Sequence, residues 1–126
     1  MNPKKRRGDS RQSLRILVVE DESMFAFVLE DMLVELGHKV IGPVGRLNKA
    51  LSIAQRELLD FAILDVNLHG QETYPVAEVL AVRGIPFAFA TGYDRKGLRA
   101  PYCDGPVLQK PFIDTDLRNV IDEFCP

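Results

Sequence analysis

The stretch Ile16-Leu17-Val18-Val19-Glu20-Asp21 runs from four aliphatic residues directly into two acidic ones. Three later apolar runs also end on a polar or charged side chain: Phe61-Ala62-Ile63-Leu64 before Asp65, Ile85-Pro86-Phe87-Ala88-Phe89-Ala90 before Thr91, and Val107-Leu108-Gln109 before Lys110. Short apolar runs between helical patterns are typical of buried parallel strands, whose carboxyl ends lie along one edge of the sheet. We therefore expect three carboxylates, a hydroxyl and an ammonium to meet at that edge.

Helical patterns alternate with these strands. Apolar residues at helical spacing predict helices over residues 23–36, 47–58 and 75–83, and a last helix that begins at Asp114 or Thr115. The inward positions expected in the first helix are Phe25, Val28, Leu29, Met32 and Leu36, and those in the second are Leu47, Leu51, Ala54 and Leu58. Because parallel strands need crossover connections, the alternation predicts an α/β fold with a parallel five-stranded sheet.

Two departures from regular βα units are expected. Pro43 cannot donate to a strand ladder, which favours an edge position for the strand over residues 39–44. Gly97, Pro101 and Gly105 argue against a regular helix before the fifth strand, so we expect at most a short turn near residues 95–99.

Length and composition favour a single cytoplasmic domain. The chain has 126 residues, of which 46% are hydrophobic and 27% charged. No apolar run approaches the roughly 18 residues of a transmembrane helix, and the charged N-terminus lacks the apolar stretch of a secretory signal. Two cysteines are too few for a disulfide scaffold, so reduced thiols are expected.

The first 13 residues form a basic segment. They contain five basic residues and one acidic residue, and therefore carry a charge of +4; the whole chain carries −2, so the remainder carries −6. We interpret residues 1–13 as a solvated, disordered tail. Contact with a nucleic acid or an acidic partner is the alternative, although the segment lacks aromatic residues and a recognition motif.

The side chains at the strand ends suit a divalent cation and a phosphoryl group. Glu20, Asp21 and Asp65 would repel one another unless a hard cation such as Mg²⁺ lay between them. Lys110 could hold a phosphoryl oxygen or the Asp65 carboxylate, and Thr91 offers a hydroxyl. Taken singly, each acid could be a helix cap, the threonine an ordinary strand residue and the lysine a surface residue; their combination favours a site.

These residues match a family: the chain resembles the receiver domain of bacterial two-component response regulators. The resemblance rests on Val18-Val19-Glu20-Asp21, the strand-ending Asp65, the Leu68-x-Gly70 loop, Thr91-Gly92 and Lys110-Pro111-Phe112, in order and at family spacing over residues 14–125. It implies a flavodoxin-like, doubly wound (βα)5 fold with strand order 2-1-3-4-5 and a short or irregular fourth helix. The receiver domain would occupy residues 14–126.

The resemblance also implies a role for each residue. Asp65 would accept a phosphoryl group from a phosphohistidine of a sensor histidine kinase or a histidine phosphotransfer protein. Asp21 and Asp65 would bind Mg²⁺ directly, Glu20 through water, and Asn67 through its backbone carbonyl. Thr91 and Lys110 would contact the phosphoryl group, and a cis Lys110–Pro111 bond is expected. Such a domain catalyses only its own phosphorylation and dephosphorylation.

The run from Pro86 to Tyr93 indicates one subfamily of receiver domains. It reads PFAFATGY and matches the PFxFATGY motif of the single-domain "FAT GUY" response regulators. These are associated with kinases of the HWE and HisKA2 types and with general stress signalling. We expect no output domain after the last helix, and therefore no direct DNA binding. The output would be a protein contact or the relay or draining of phosphoryl groups, by a monomer or weak dimer that binds no membrane.

Two other functions are consistent with parts of the pattern. A pseudo-receiver would keep the fold as an interaction module without phosphorylation, which the intact site positions argue against. A Mg²⁺-dependent phosphatase of the haloacid dehalogenase type needs a second carboxylate two residues after the nucleophile, where this chain has Asn67.

The residues that would transmit the phosphorylation signal depart from the family pattern. Most receivers carry an aromatic switch residue three positions before the lysine, and this chain has Val107 there. Gly92 leaves room for a ligand or serves a turn equally well. We infer that Tyr93, two residues after Thr91, responds to the phosphoryl group or shields it from water.

We therefore predict that Tyr93→Ala changes the lifetime of phosphorylated Asp65, because the side chain would no longer exclude attacking water. The lifetime is measured by following loss of the phosphorylated form after the phosphodonor is removed. An unchanged lifetime together with unchanged affinity for a partner would overturn this role.

Overall fold

The computed structural model describes residues 13–92 and 97–125. These residues form a parallel five-stranded sheet flanked by four α-helices and completed by a two-stranded hairpin. The strands are β1 Arg15–Val19, β2 Lys39–Val44, β3 Phe61–Asp65, β4 Asn67–Leu68, β5 Gln71–Glu72, β6 Phe87–Thr91 and β7 Val107–Gln109. The helices are α1 Ser23–Glu35, α2 Leu47–Arg56, α3 Tyr74–Val82 and α4 Asp114–Phe124.

The sheet has the order β2-β1-β3-β6-β7. This is the predicted order 2-1-3-4-5 of the five main strands, and β2, which contains Pro43, lies at an edge as expected. The hairpin of β4 and β5 was not predicted. It lies in the loop after Asp65, where Asn67 pairs with Glu72 and the chain turns through His69 and Gly70, both at positive φ.

Alternating side chains of the central strands fill two core layers, one on each face of the sheet. Leu17, Val19 and Leu64 pack in the layer that contains the buried residues of α2 and α3. Ile16, Val18 and Ile63 pack in the layer that contains those of α1 and α4. Burial on both faces explains why these strands are continuous apolar runs rather than alternating ones.

The predicted inward faces of two helices were partly wrong. Val28 is 43% exposed, and Ala26 and Leu33 are buried in α1 instead. Leu58 is 74% exposed because α2 ends at Arg56, so the helical phase no longer applies there.

The connection between β6 and β7 is irregular, as predicted. Its described part, residues 97–105, contains a 3₁₀ turn at Tyr102–Asp104 and no α-helix. Part of the turn expected near residues 95–99 lies outside the described residues. No helix in the described part of the chain is long and apolar enough to cross a membrane.

Gly42 occupies a position in β2 that a larger residue does not fit. Its φ is +106°, and an added Cβ would lie 2.9 Å from the backbone oxygen of Val18 in the neighbouring strand. Gly37 also has a positive φ, of +93°, but an added Cβ there would have nothing within 4 Å. A side chain at Gly37 would therefore introduce backbone strain only, whereas one at Gly42 would introduce both strain and a steric clash.

We predict that Gly42→Ala lowers the free energy of unfolding by about 3 kcal/mol and Gly37→Ala by about 1 kcal/mol, since only the first adds a backbone clash to the strained conformation. Urea unfolding of both variants measures the difference. Equal losses would show that the contact with Val18 is accommodated without cost.

Candidate functional site

The carboxyl edge of the sheet carries the candidate site, as predicted. Glu20 and Asp21 follow β1, and Asp65 is the last residue of β3. The register of β3 and β6 pairs Asp65 with Ala90, so Thr91 is the next residue on the neighbouring strand. Lys110 follows β7, and its backbone N–H donates to the Thr91 carbonyl at 2.7 Å. Parallel pairing therefore aligns the ends of four strands.

Glu20, Asp21 and Asp65 form a compact carboxylate cluster. One carboxylate oxygen from each lies within 4.8 Å of the others, close enough to hold one metal ion. Glu20 is only 4% exposed. Burial, followed by the charge of Glu20, raises the pKa of Asp65 from 3.8 to about 7, although Lys110 acts in the opposite direction. Three hard oxygen donors in a partly buried cleft fit Mg²⁺.

Lys110 places its ammonium inside this cluster. Its Nζ lies 2.9 Å from Glu20 Oε1 and 3.8 Å from Asp65 Oδ2. The same Nζ lies 4.2 Å from the centre of the Phe25 ring. The Lys110–Pro111 peptide bond is cis, which confirms that expectation. One ammonium, paired with Glu20 and near Asp65, does not balance the charge of all three carboxylates, so the cluster favours a further cation.

Hydrogen bonds that no sequence motif predicted hold the loop after Asp65 against the site. The backbone N–H of His69 donates to Asp21 Oδ2 at 3.0 Å. Thr73 is fully buried, and its hydroxyl donates to the backbone carbonyl of Asp65. The side chain of Asn67 accepts the N–H of Gly70, and a role for its backbone carbonyl as a metal ligand stays a prediction.

Arg99 connects this loop to the segment that follows β6. Its guanidinium lies 2.6 Å from Glu72 and 4.5 Å from the centre of the Tyr74 ring. Its backbone N–H donates to the Tyr74 hydroxyl at 3.0 Å. No motif marked Arg99 in the sequence, because its partners lie 25 and 27 residues earlier in the chain.

The predicted readout positions have different environments. Gly92 is exposed, and an added Cβ would meet nothing within 4 Å, so space at that position does not itself require glycine. Tyr93 lies outside the described residues. Val107 is half-buried and packs in the same layer as Tyr102, whose ring stacks on Tyr74 at 5.3 Å. Tyr102 thus supplies an aromatic ring in the layer of β7, the strand that has Val107 in place of an aromatic residue.

Comparison with known proteins finds receiver domains. The solution structure of SdrG from Sphingomonas melonis Fr1 is 41% identical, covers 90% of this chain and 98% of its own, and superposes with a TM-score of 0.82. The receiver domain of the sensor histidine kinase PA1611 from Pseudomonas aeruginosa PAO1, described with magnesium in its active-site cleft, is 25% identical, with 90% and 98% coverage and a TM-score of 0.78. No protein-family model matches the chain.

A curated relative is longer than this chain. The transcriptional regulatory protein PdtaR of Mycobacterium tuberculosis is 28% identical over 119 residues. The match covers 91% of this chain but 58% of PdtaR, so the chain corresponds to part of that protein.

We predict that Asp65→Asn stabilises the Mg²⁺-free protein at pH 8 by about 2–4 kcal/mol and has little effect near pH 4. The folded-state pKa of about 7 lies above the unfolded value of 3.8, so the folded protein loses stability as the pH rises through that interval. Urea unfolding with a chelator, from pH 4 to pH 8, measures the difference.

Asp31→Asn is the matched control, since Asp31 is exposed on α1. It should change stability little, and equally, at both ends of the range. A stabilisation by Asp65→Asn that is the same at pH 4 and pH 8 would contradict the raised pKa.

Proposed function

Because the chain belongs to the family of response regulator receiver domains, we propose that it accepts a phosphoryl group on Asp65 from a phosphohistidine. The observation that carries this proposal is the convergence of three carboxylates and the Lys110 ammonium on the carboxyl edge of the sheet. An acidic cluster alone would suit a structural ion. The Lys110 ammonium beside Asp65 also suits a transferred phosphoryl group.

The transfer is an in-line displacement at phosphorus. A carboxylate oxygen of Asp65 forms the new P–O bond while the P–N bond to the donor imidazole breaks, and the imidazole nitrogen keeps the electron pair and takes up a proton. Lys110 lies 3.8 Å from Asp65 and can neutralise charge on a phosphoryl oxygen. The Thr91 hydroxyl would donate to another oxygen of the phosphoryl group.

Mg²⁺ would be held by Asp21 and Asp65, with Glu20 acting through water and Asn67 through its backbone carbonyl. When bound, the ion neutralises charge on the phosphoryl oxygens. The magnesium ion described in the active-site cleft of the PA1611 receiver domain supports this choice of ion. The backbone N–H of His69 keeps one oxygen of Asp21 oriented, which limits the freedom of that carboxylate.

The biological setting extends the proposal. Residues 14–126 would act as the receiver in the cytoplasm, and residues 1–13 as a tail. The donor would be a sensor histidine kinase, of the HWE or HisKA2 type, or a histidine phosphotransfer protein. The motif from Pro86 to Tyr93 supports membership of the FAT GUY subfamily, and a role in general stress signalling would follow from that membership.

Incubation with acetyl phosphate and Mg²⁺, followed by a phosphate-affinity gel, tests the proposal. We predict a slowly migrating band that is absent from Asp65→Asn and from samples with a chelator, because the nucleophile or the neutralising ion is then missing. Asp31→Asn, an exposed carboxylate on α1, is the matched control and should give the wild-type band.

The other outcomes identify other functions. If the folded wild-type protein gives no band, the chain is a pseudo-receiver that acts by interaction alone. Sustained release of phosphate from many monoesters would instead indicate a phosphatase. A band that persists in Asp65→Asn would assign phosphorylation to another residue.

A further inference from the structure

Phe25 contacts both ends of the short segment that carries Lys110. It is half-buried in the first turn of α1, and its ring centre lies 4.2 Å from Lys110 Nζ. Two residues later in the segment, the Phe112 ring meets the Phe25 ring edge to face, at 5.3 Å and 84°. The aromatic ring of Phe25 therefore contacts the charged end of the lysine and the side chain of Phe112.

The Lys110 ammonium needs a contact that persists, because its contacts with the carboxylates would change when a ligand binds. Lys110 bonds to Glu20 at 2.9 Å and lies 3.8 Å from Asp65, and binding of a phosphoryl group or a metal ion would change both contacts. The lysine side chain is long and flexible, so losing an ionic partner frees several rotatable bonds. An aromatic face attracts a cation while leaving its charge available to another partner.

Packing alone does not account for this geometry. An aliphatic residue would fill the same space against Phe112, and the neighbouring Phe27 on α1 is 69% exposed. Only an aromatic ring adds a cation–π contact to an ammonium whose side chain is 17% exposed. Partial burial strengthens that contact, since water competes less for the charge.

We propose that Phe25 is a positioning residue for phosphoryl transfer. It holds the Lys110 ammonium over the carboxylate cluster while the ionic partner of Lys110 changes from Glu20 to a phosphoryl oxygen. This inference rests on the proposed receiver function.

The test compares initial rates of Asp65 phosphorylation by acetyl phosphate at saturating Mg²⁺, in the full chain. The Asp65 oxygen attacks phosphorus, the P–O bond to the acetyl group breaks, and acetate leaves with the electron pair. Phe25→Leu should lower the second-order rate constant about fivefold, which corresponds to the loss of one partly buried cation–π contact. Phe25→Tyr keeps the ring and should retain the wild-type rate.

Phe27→Leu is the matched control, because it makes the same substitution two residues later on α1, at an exposed site. It should leave the rate unchanged. If Phe25→Leu does not fold, as judged by urea unfolding, Phe25→Met replaces it.

A double-mutant cycle separates positioning from general packing. In a Lys110→Met background, Phe25→Leu should have no further effect on the rate, since the cation is already gone. A rate within twofold of wild type in Phe25→Leu, or an equal loss with and without Lys110, would overturn the inference while the receiver function stands. Absence of phosphorylation in wild type would instead overturn the proposed function.

Discussion

The carboxylate of Glu20 is almost fully buried, and the ammonium that pairs with it, at 2.9 Å, comes from a residue 90 positions later in the chain. A buried charge without a partner is strongly destabilising, so this pair requires β1 and β7 to be in place together. β3 and β6 lie between those strands and must therefore be assembled as well. Beside this pair, burial and the charge of Glu20 raise the pKa of Asp65 to about 7.

The loops around the site are fixed by polar contacts as well as by apolar packing, since Leu68 and Leu98 are buried in the core. His69 holds Asp21 through its backbone N–H, and Thr73 holds the Asp65 carbonyl through its hydroxyl. The loop that supplies these two residues also carries Glu72, to which Arg99 binds. The segment after β6 is thus connected to the loop after Asp65 by an ion pair.

The same segment covers the sheet face on which a fourth crossover helix would pack. Tyr102 meets Phe87 and Phe89 of β6 with its ring and stacks on Tyr74 of α3. Val107 packs in that layer as well. An aromatic ring on the connecting segment therefore occupies the region beside β7, where the strand itself offers only a valine.

The residue pattern alone determined the α/β class and the set of residues at the carboxyl ends of the strands, whereas the strand order followed from the family resemblance. Apolar runs that stop at Asp65 and Lys110 are local signals, and a parallel sheet brings the carboxyl ends of its strands to one edge. The exposure of Val28 and Leu58 differed from the prediction, because helix phase and helix ends depend on which neighbours pack against them. The contacts of Phe25 and Arg99 came from the tertiary structure alone, since a cation–π contact or ion pair between distant residues has no signature in local sequence.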